Sequence, residues 1–267
     1  MLTLTQAKNQ RGSAGEPLPD IFQSFAQNGI YIRQGQLTLI SAAPGIGKSV
    51  LSQTIATKCG LPGYYFSADS DQFEMYCRCA AMLTGWRKQD IESSVLAGRT
   101  ETIDARLSQS AMLRYDFSGS PTTDYIDDEL KAYAMYAGRW PALIVMDNIS
   151  NIDIGGSATD TAALEEACAY LHDVARETGA AVIALHHVQG TYNDGNQPVP
   201  LSGLRGQIGR VPEVVLTLHN ESTEIEMFNG VNILGVNAVK NRGGKADPAA
   251  RNTIRLDFYP ERMELRG

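Results

Sequence analysis

Lys48, Ser49 and Asp147 are the residues whose types and spacing point first to a chemistry. The stretch Leu37-Thr38-Leu39-Ile40-Ser41-Ala42 is an apolar run. It passes into Ala43-Pro44-Gly45-Ile46-Gly47 and then into Lys48-Ser49-Val50. This is the Walker A pattern with Ala42 in place of the usual first glycine. Small residues let backbone N–H groups turn inward around an anion. A helix opening at Lys48 adds its partial positive charge. In such a loop Lys48 reaches the terminal phosphates of ATP and the Ser49 hydroxyl ligates Mg²⁺. A second apolar run, 142–146, ends in Asp147, placed to hold the same Mg²⁺ through water. The next residue is Asn148 and not Glu, so the group that orients water must come from elsewhere. Asp69, at the end of Tyr65-Phe66-Ser67-Ala68-Asp69, is the candidate, with Asp71 and Glu74 as rivals. His187 closes a third apolar run. A neutral imidazole there can donate to a γ-phosphate oxygen and report its loss, while His186 faces elsewhere.

These residues need a parallel sheet, because ligands of such sheets sit at the carboxyl ends of the strands. The pattern supplies one. Strands are expected at 37–42, 64–67, 112–117, 143–146, 181–185, 214–218, 233–239 and 253–258, with helical segments between the early ones. Leu164, Cys168, Leu171 and Val174/Ala175 form one stripe on a helix over 160–178, and Gly179 stops it. Strand–helix–strand repetition gives an α/β fold with right-handed crossovers. The last strands have shorter links and predict an antiparallel extension. The strand bearing Asp69 is expected beside the phosphate-loop strand. Residues 1–30 are polar and turn-rich and read as an arm with little core of its own; 31–267 read as one ATPase domain.

The chain has 267 residues, 43% apolar and 20% charged, which excludes a disordered tail, a collagen-like chain and a disulfide scaffold. The longest apolar runs, 142–146 and 180–185, fall far short of the ~20 residues of a membrane span. The N-terminus shows no signal-peptide pattern, so no membrane partner is expected. A net charge of −7 excludes a globally basic nucleic-acid coat; any such site must be local. Cys59, Cys77, Cys79 and Cys168 form no C-x-x-C pair and read as free thiols of a reducing cytoplasm, and the four histidines lack metal-ligand spacing.

Taken together the motifs resemble the RecA-like core of the DnaB-type replicative helicases, including the phage ring helicases, over roughly residues 20–265. Phe66-Ser67-Ala68-Asp69 is similar to the family's Phe-Ser-Leu-Glu motif, with Asp69 where the catalytic Glu belongs. Arg78 falls where the family sets an arginine against the nucleotide base. Leu185-His186-His187-Val188 is similar to the sensor motif in its histidine version. Leu201-Ser202-Gly203-Leu204-Arg205-Gly206-Gln207 resembles the Asp-Leu-Arg-Gly-Ser motif of the DNA-binding loop, with Gly203 replacing the acid and Gln207 the serine. Lys240-Asn241-Arg242-Gly243 is similar to Lys-x-Arg-x-Gly, whose two cations reach the γ-phosphate in a neighbouring subunit's site.

The resemblance implies a RecA-like P-loop NTPase core and an ATP-dependent DNA helicase. A finger supplied in trans demands a head-to-tail interface, which closes into a ring, here a hexamer, or opens into a helix. Single-stranded DNA would be tracked by 150–157 and by the long loop 189–207, through Arg205, Gly206, Gln207, Gly209 and Arg210. Tyr192 is the only aromatic there, which favours backbone tracking over base readout. A primase or helicase loader is the implied protein partner. The host cytoplasm is the implied compartment if the chain is phage-encoded. The alternatives are a RecA-like recombinase or strand-annealing ATPase on filaments, and a KaiC-like regulatory ATPase with no DNA role.

Overall fold

The computed structural model describes residues 15–267 apart from 111, 157, 158 and 189. Among the described residues nine strands form one sheet: β1 (Leu37–Ala42), β2 (Gly63–Ser67), β3 (Leu113–Asp116), β4 (Leu143–Asp147), β5 (Ala181–His187), β6 (Val214–Asn220), β7 (Asn232–Asn241), β8 (Ile254–Tyr259) and β9 (Glu264–Arg266). Their order is β3-β2-β4-β5-β1-β6-β7-β8-β9. The first six run parallel, and β7 to β9 extend the sheet antiparallel. Strand β9 escaped the sequence reading because three residues carry no alternation to detect.

The parallel strands are apolar on both faces because helices cover both. On one side lie α1 (Gln23–Gln27), α2 (Lys48–Lys58), α3 (Gln72–Thr84), α4 (Lys88–Leu96) and α5 (Glu101–Leu107), with Leu51, Ile55, Ile183 and Leu185 in their core. On the other lie α6 (Thr123–Ala137) and α7 (Asp160–Thr178), over Leu164, Leu171, Val182 and Ala184. The α7 stripe is buried as its spacing predicts. Gly179 ends the helix at φ 71°, a conformation glycine adopts without cost. Among the described residues no helix is long and apolar enough to cross a membrane, and all four cysteines are buried and free.

Two expectations are corrected. Strand β2 does not lie beside β1: the chain leaves β1 through α2, passes two strand positions, and β4 and β5 later fill the gap. Residues 18–30 of the expected arm also do not stand apart but join the core of the domain. Leu18, Phe22, Phe25 and Ile30 are buried in the main cluster. Leu18 N–H bonds Ile32 O at 2.8 Å, and Gln23 N–H bonds Gly267 O at 3.1 Å. The apolar spacing 18, 22, 25 carries this signal amid turn residues. Residues 1–14 of that arm lie outside the described residues.

Candidate functional site

The loop between β1 and α2 turns at Gly45 (φ 77°) and Gly47 (φ 119°), left-handed positions that a side chain would strain. Lys48, the first residue of α2, is 5% exposed. Its Nζ contacts Ala42 O and Ala43 O, both at 3.1 Å, and His187 Nδ1 at 3.0 Å. An ammonium has three N–H groups, so these three acceptors use all of them, and His187 must carry its proton on Nε2. Burial holds the Lys48 amine down to about 8; Asp147 and Asp69 pull the other way.

Asp147 ends β4 at the same sheet edge. Its Oδ2 accepts from the Tyr65 hydroxyl at 3.0 Å, and the Ser49 side chain also bonds it. Burial pushes its carboxyl above the usual range, opposed by the Ser49 and Tyr65 bonds. Tyr65 is fully buried on β2 and touches Ser52 Oγ at 3.0 Å. Sequence reading missed this positioning residue, since its strand alternation marks only a core side chain. A hydroxyl and a carboxylate converging at a helix N-terminus are hard oxygen donors that suit Mg²⁺. Among the described residues no group of three or more His, Cys, Asp or Glu side chains is placed to hold a metal ion by itself. A cation held by Ser49 and Asp147 would therefore draw its other ligands from phosphate and water.

Asp69 lies just past the end of β2. Asn148 Nδ2 bonds its Oδ2 at 3.0 Å and Asn151 Nδ2 its Oδ1 at 3.4 Å. Although β4 and β5 separate its strand from β1, its charge is felt by Lys48, Asp147 and His187. The strand ends thus converge where the strands themselves do not touch. The rivals have other partners: Asp71 caps α3 through Glu74 N–H at 2.8 Å, and Glu74 pairs with Arg78 and Lys88, each at 2.7 Å. Arg78 is thereby tied to its own helix. His187 stays neutral because burial and Lys48 lower it. His186 faces α7, buried, with both ring nitrogens unpartnered, and burial first and His187 next take it down to about 4.

The expected DNA loop is folded rather than open. Short turns form at Gly190–Tyr192, Leu201–Gly203 and Ile208–Arg210. A Cβ on Gly195 would meet Ile46 Cδ1 at 2.3 Å, so this segment lies directly on the phosphate loop. Tyr192 packs against Gly203, where a Cβ would be 2.7 Å from its ring. The five expected DNA residues divide between two concavities. Gly206, Gln207, Gly209 and Arg210 line an open groove of about 850 Å³ together with Arg251. Arg205 lines a cavity of about 310 Å³ with Ser150, Asp160, His186 and His187. Residues 157 and 189 of the two loops lie outside the described residues.

Lys240 and Arg242 stand away from Lys48 and touch the 209–210 turn instead. Lys240 is abreast of Val215, which is abreast of Leu39. Its Nζ donates to Gly209 O at 2.8 Å and Arg210 O at 2.6 Å. Arg242 follows β7. Its N–H bonds Glu213 O at 3.0 Å and its guanidinium bonds Glu213 Oε1 at 3.2 Å and Arg210 O at 3.3 Å. Glu213 Oε2 in turn accepts Leu37 N–H, at the start of β1. At ~3.3 Å per residue, β1 places roughly 16 Å of strand between that point and Ala42. The two cations are on the amino edge of the sheet, and the phosphate loop is on the carboxyl edge.

Known proteins resemble this chain in sequence and in fold. Residues 26–191 match the AAA domain family. The gene 65 protein of Mycobacterium phage L5 is 42% identical over 270 residues, 99% of this chain and 98% of that protein. One solved ATPase domain superposes with a TM-score of 0.77 at 17% identity, covering 98% of this chain and 95% of that one. A DnaB-like replicative helicase, described with its interactions with primase, superposes at 0.75 and 16% identity; the match covers 98% of this chain and 64% of that one. The chain belongs to the AAA domain family, and its fold is the RecA-like P-loop ATPase fold seen in the DnaB-like helicases.

Proposed function

We propose that the chain is an ATP-driven DNA helicase, a ring of identical subunits that moves along single-stranded DNA during replication. The observation that carries this reading is the separation of the cations. Lys48, Ser49, Asp147, Asp69 and His187 share the carboxyl edge, whereas Lys240 and Arg242 stand on the amino edge. Arg242 has no route to its own Lys48, so a second copy must bring it there. Repetition of such a heterologous contact builds a ring or a filament.

Within the site, the backbone of 43–47 and Lys48 bind the phosphates of ATP, and Val50 follows on the same helix end. Ser49 and Asp147 would hold Mg²⁺, which neutralises phosphate charge when bound. Asp69, steered by Asn148 and Asn151, orients the attacking water. Lys48 must exchange its three internal acceptors for phosphate oxygens, which frees His187 Nδ1 and ties the end of β5 to nucleotide state. Lys240 and Arg242 of the neighbouring copy stabilise the charge of phosphoryl transfer. Arg78 contacts the base after leaving Glu74. Arg205 and the 206–210 segment hold the strand by its phosphates. The fold likeness to a helicase described with primase supports a primase or loader as partner, and the phage relative supports the host cytoplasm as compartment.

ATP turnover with and without single-stranded DNA, followed by unwinding of a tailed duplex, tests this. Stimulated turnover and strand separation are expected. Turnover indifferent to DNA contradicts the motor, and electron microscopy of open filaments replaces the helicase by a strand-coating ATPase.

A further inference from the structure

Segment 201–210 is anchored by two buried apolar side chains, and the second is bonded to α7. Leu204 and Ile208 are buried, and Cys168 Sγ donates to Ile208 O at 3.6 Å. Between these anchors α7 presents two carboxylates. Asp160 Oδ2 lies 3.4 Å from an Arg205 guanidinium nitrogen. Glu165 Oε1 accepts the Gln207 backbone N–H at 2.8 Å. Gly206 between them has φ 62°, and a Cβ there would stand 2.6 Å from Thr161 Cγ2 and 3.0 Å from Glu165 Oε1. Only glycine lets the segment lie this close to the helix.

A guanidinium beside an exposed backbone N–H is a phosphate-binding pair. Here both members are given to carboxylate oxygens of the same chain. Resting on the DNA-motor reading, we propose that Asp160 and Glu165 form a phosphate-mimicking latch, which holds Arg205 and the Gln207 N–H until a strand phosphate displaces them. The latch weakens DNA binding by the share of chains in which it is closed. It also shares a wall with the sensor: Asp160 and Arg205 line the same cavity of about 310 Å³ as His186 and His187. Opening the latch therefore changes one side of a cavity whose other side touches Lys48 through His187.

The test uses the full chain and labelled oligo-dT, read by fluorescence anisotropy. Asp160→Asn and Glu165→Gln each remove the competing charge, and together they are expected to tighten binding about tenfold. The gain from Asp160→Asn should vanish in an Arg205→Ala background, because the two residues share one contact. Glu177→Gln, in the last turn of α7, removes an equal charge away from the segment and should leave affinity unchanged. Without DNA, hydrogen exchange at the Gln207 amide should be slow in the wild type and fast in Glu165→Ala. Unchanged or weaker binding in the double variant, or an equal gain from Glu177→Gln, overturns the latch and leaves the DNA reading standing. A wild-type chain that binds no oligo-dT overturns both.

Discussion

Lys48 and Arg242 are both held by acceptors of their own chain, but on opposite edges of one sheet and at very different cost. Lys48 is buried, commits all three N–H groups to fixed acceptors, and is held near the point of losing its proton. Arg242 is 55% exposed and rests on Glu213 and a carbonyl. Exposed pairs of that kind contribute ~1 kcal/mol or less. The carboxyl edge is preorganised, its desolvation already met by folding. The amino edge is loose enough to hand its cation to another molecule. On the proposed reading, a site divided in this way is slow in one copy and fast in an assembly.

The contrast is sharpest in turnover. Arg242→Ala is expected to lower ATP hydrolysis by about 10³-fold while nucleotide binding to the lone subunit stays intact. Equal loss of nucleotide affinity, by titration of a fluorescent analogue, would put Arg242 in its own site. Asp69→Asn comes next, at about 10²-fold in turnover, again with binding retained. Single-turnover kinetics at saturating ATP read this directly, and full activity would hand the role to another carboxylate.

A pH series separates the edges more gently. Phosphate needs the charged Lys48 amine, and burial holds that amine down to about 8. Affinity should be flat below pH 8 and fall by about tenfold per unit above it, with proton uptake on binding in that range. Calorimetry in buffers of differing ionisation heat detects the uptake; its absence means Lys48 is fully charged beforehand. The smallest effect belongs to the phosphate-loop cover. Gly195→Ala meets Ile46 at a left-handed position and should cost about 1–2 kcal/mol of stability by thermal unfolding. An unchanged melting temperature would mean that the cover lies loosely on Ile46.

Sequence legibility followed the same division. The phosphate loop, Asp147 and the strand ends could be read because glycine spacing and apolar runs are local signals. Helix α7 was legible to its last residue from one stripe and Gly179. Strand order was not, since nothing local says that β4 and β5 will come between β1 and β2. Nor could Tyr65 be told from any core tyrosine, because its hydroxyl partner Asp147 is distant in the chain. The burial of Phe22 and Phe25 was masked by turn residues around them. The capture of Arg205 and Gln207 by α7 is a tertiary contact that no spacing announces.

The division between edges is tested most directly by mixing two inactive chains. Lys48→Ala lacks the phosphate grip but keeps the finger; Arg242→Ala keeps the grip but lacks the finger. Each alone should hydrolyse almost no ATP, and an equimolar mixture should regain a substantial fraction of wild-type turnover, because some contacts then pair an intact Lys48 with an intact Arg242. A mixture as inactive as its components, though shown to co-assemble, would contradict completion of the site by a neighbouring copy.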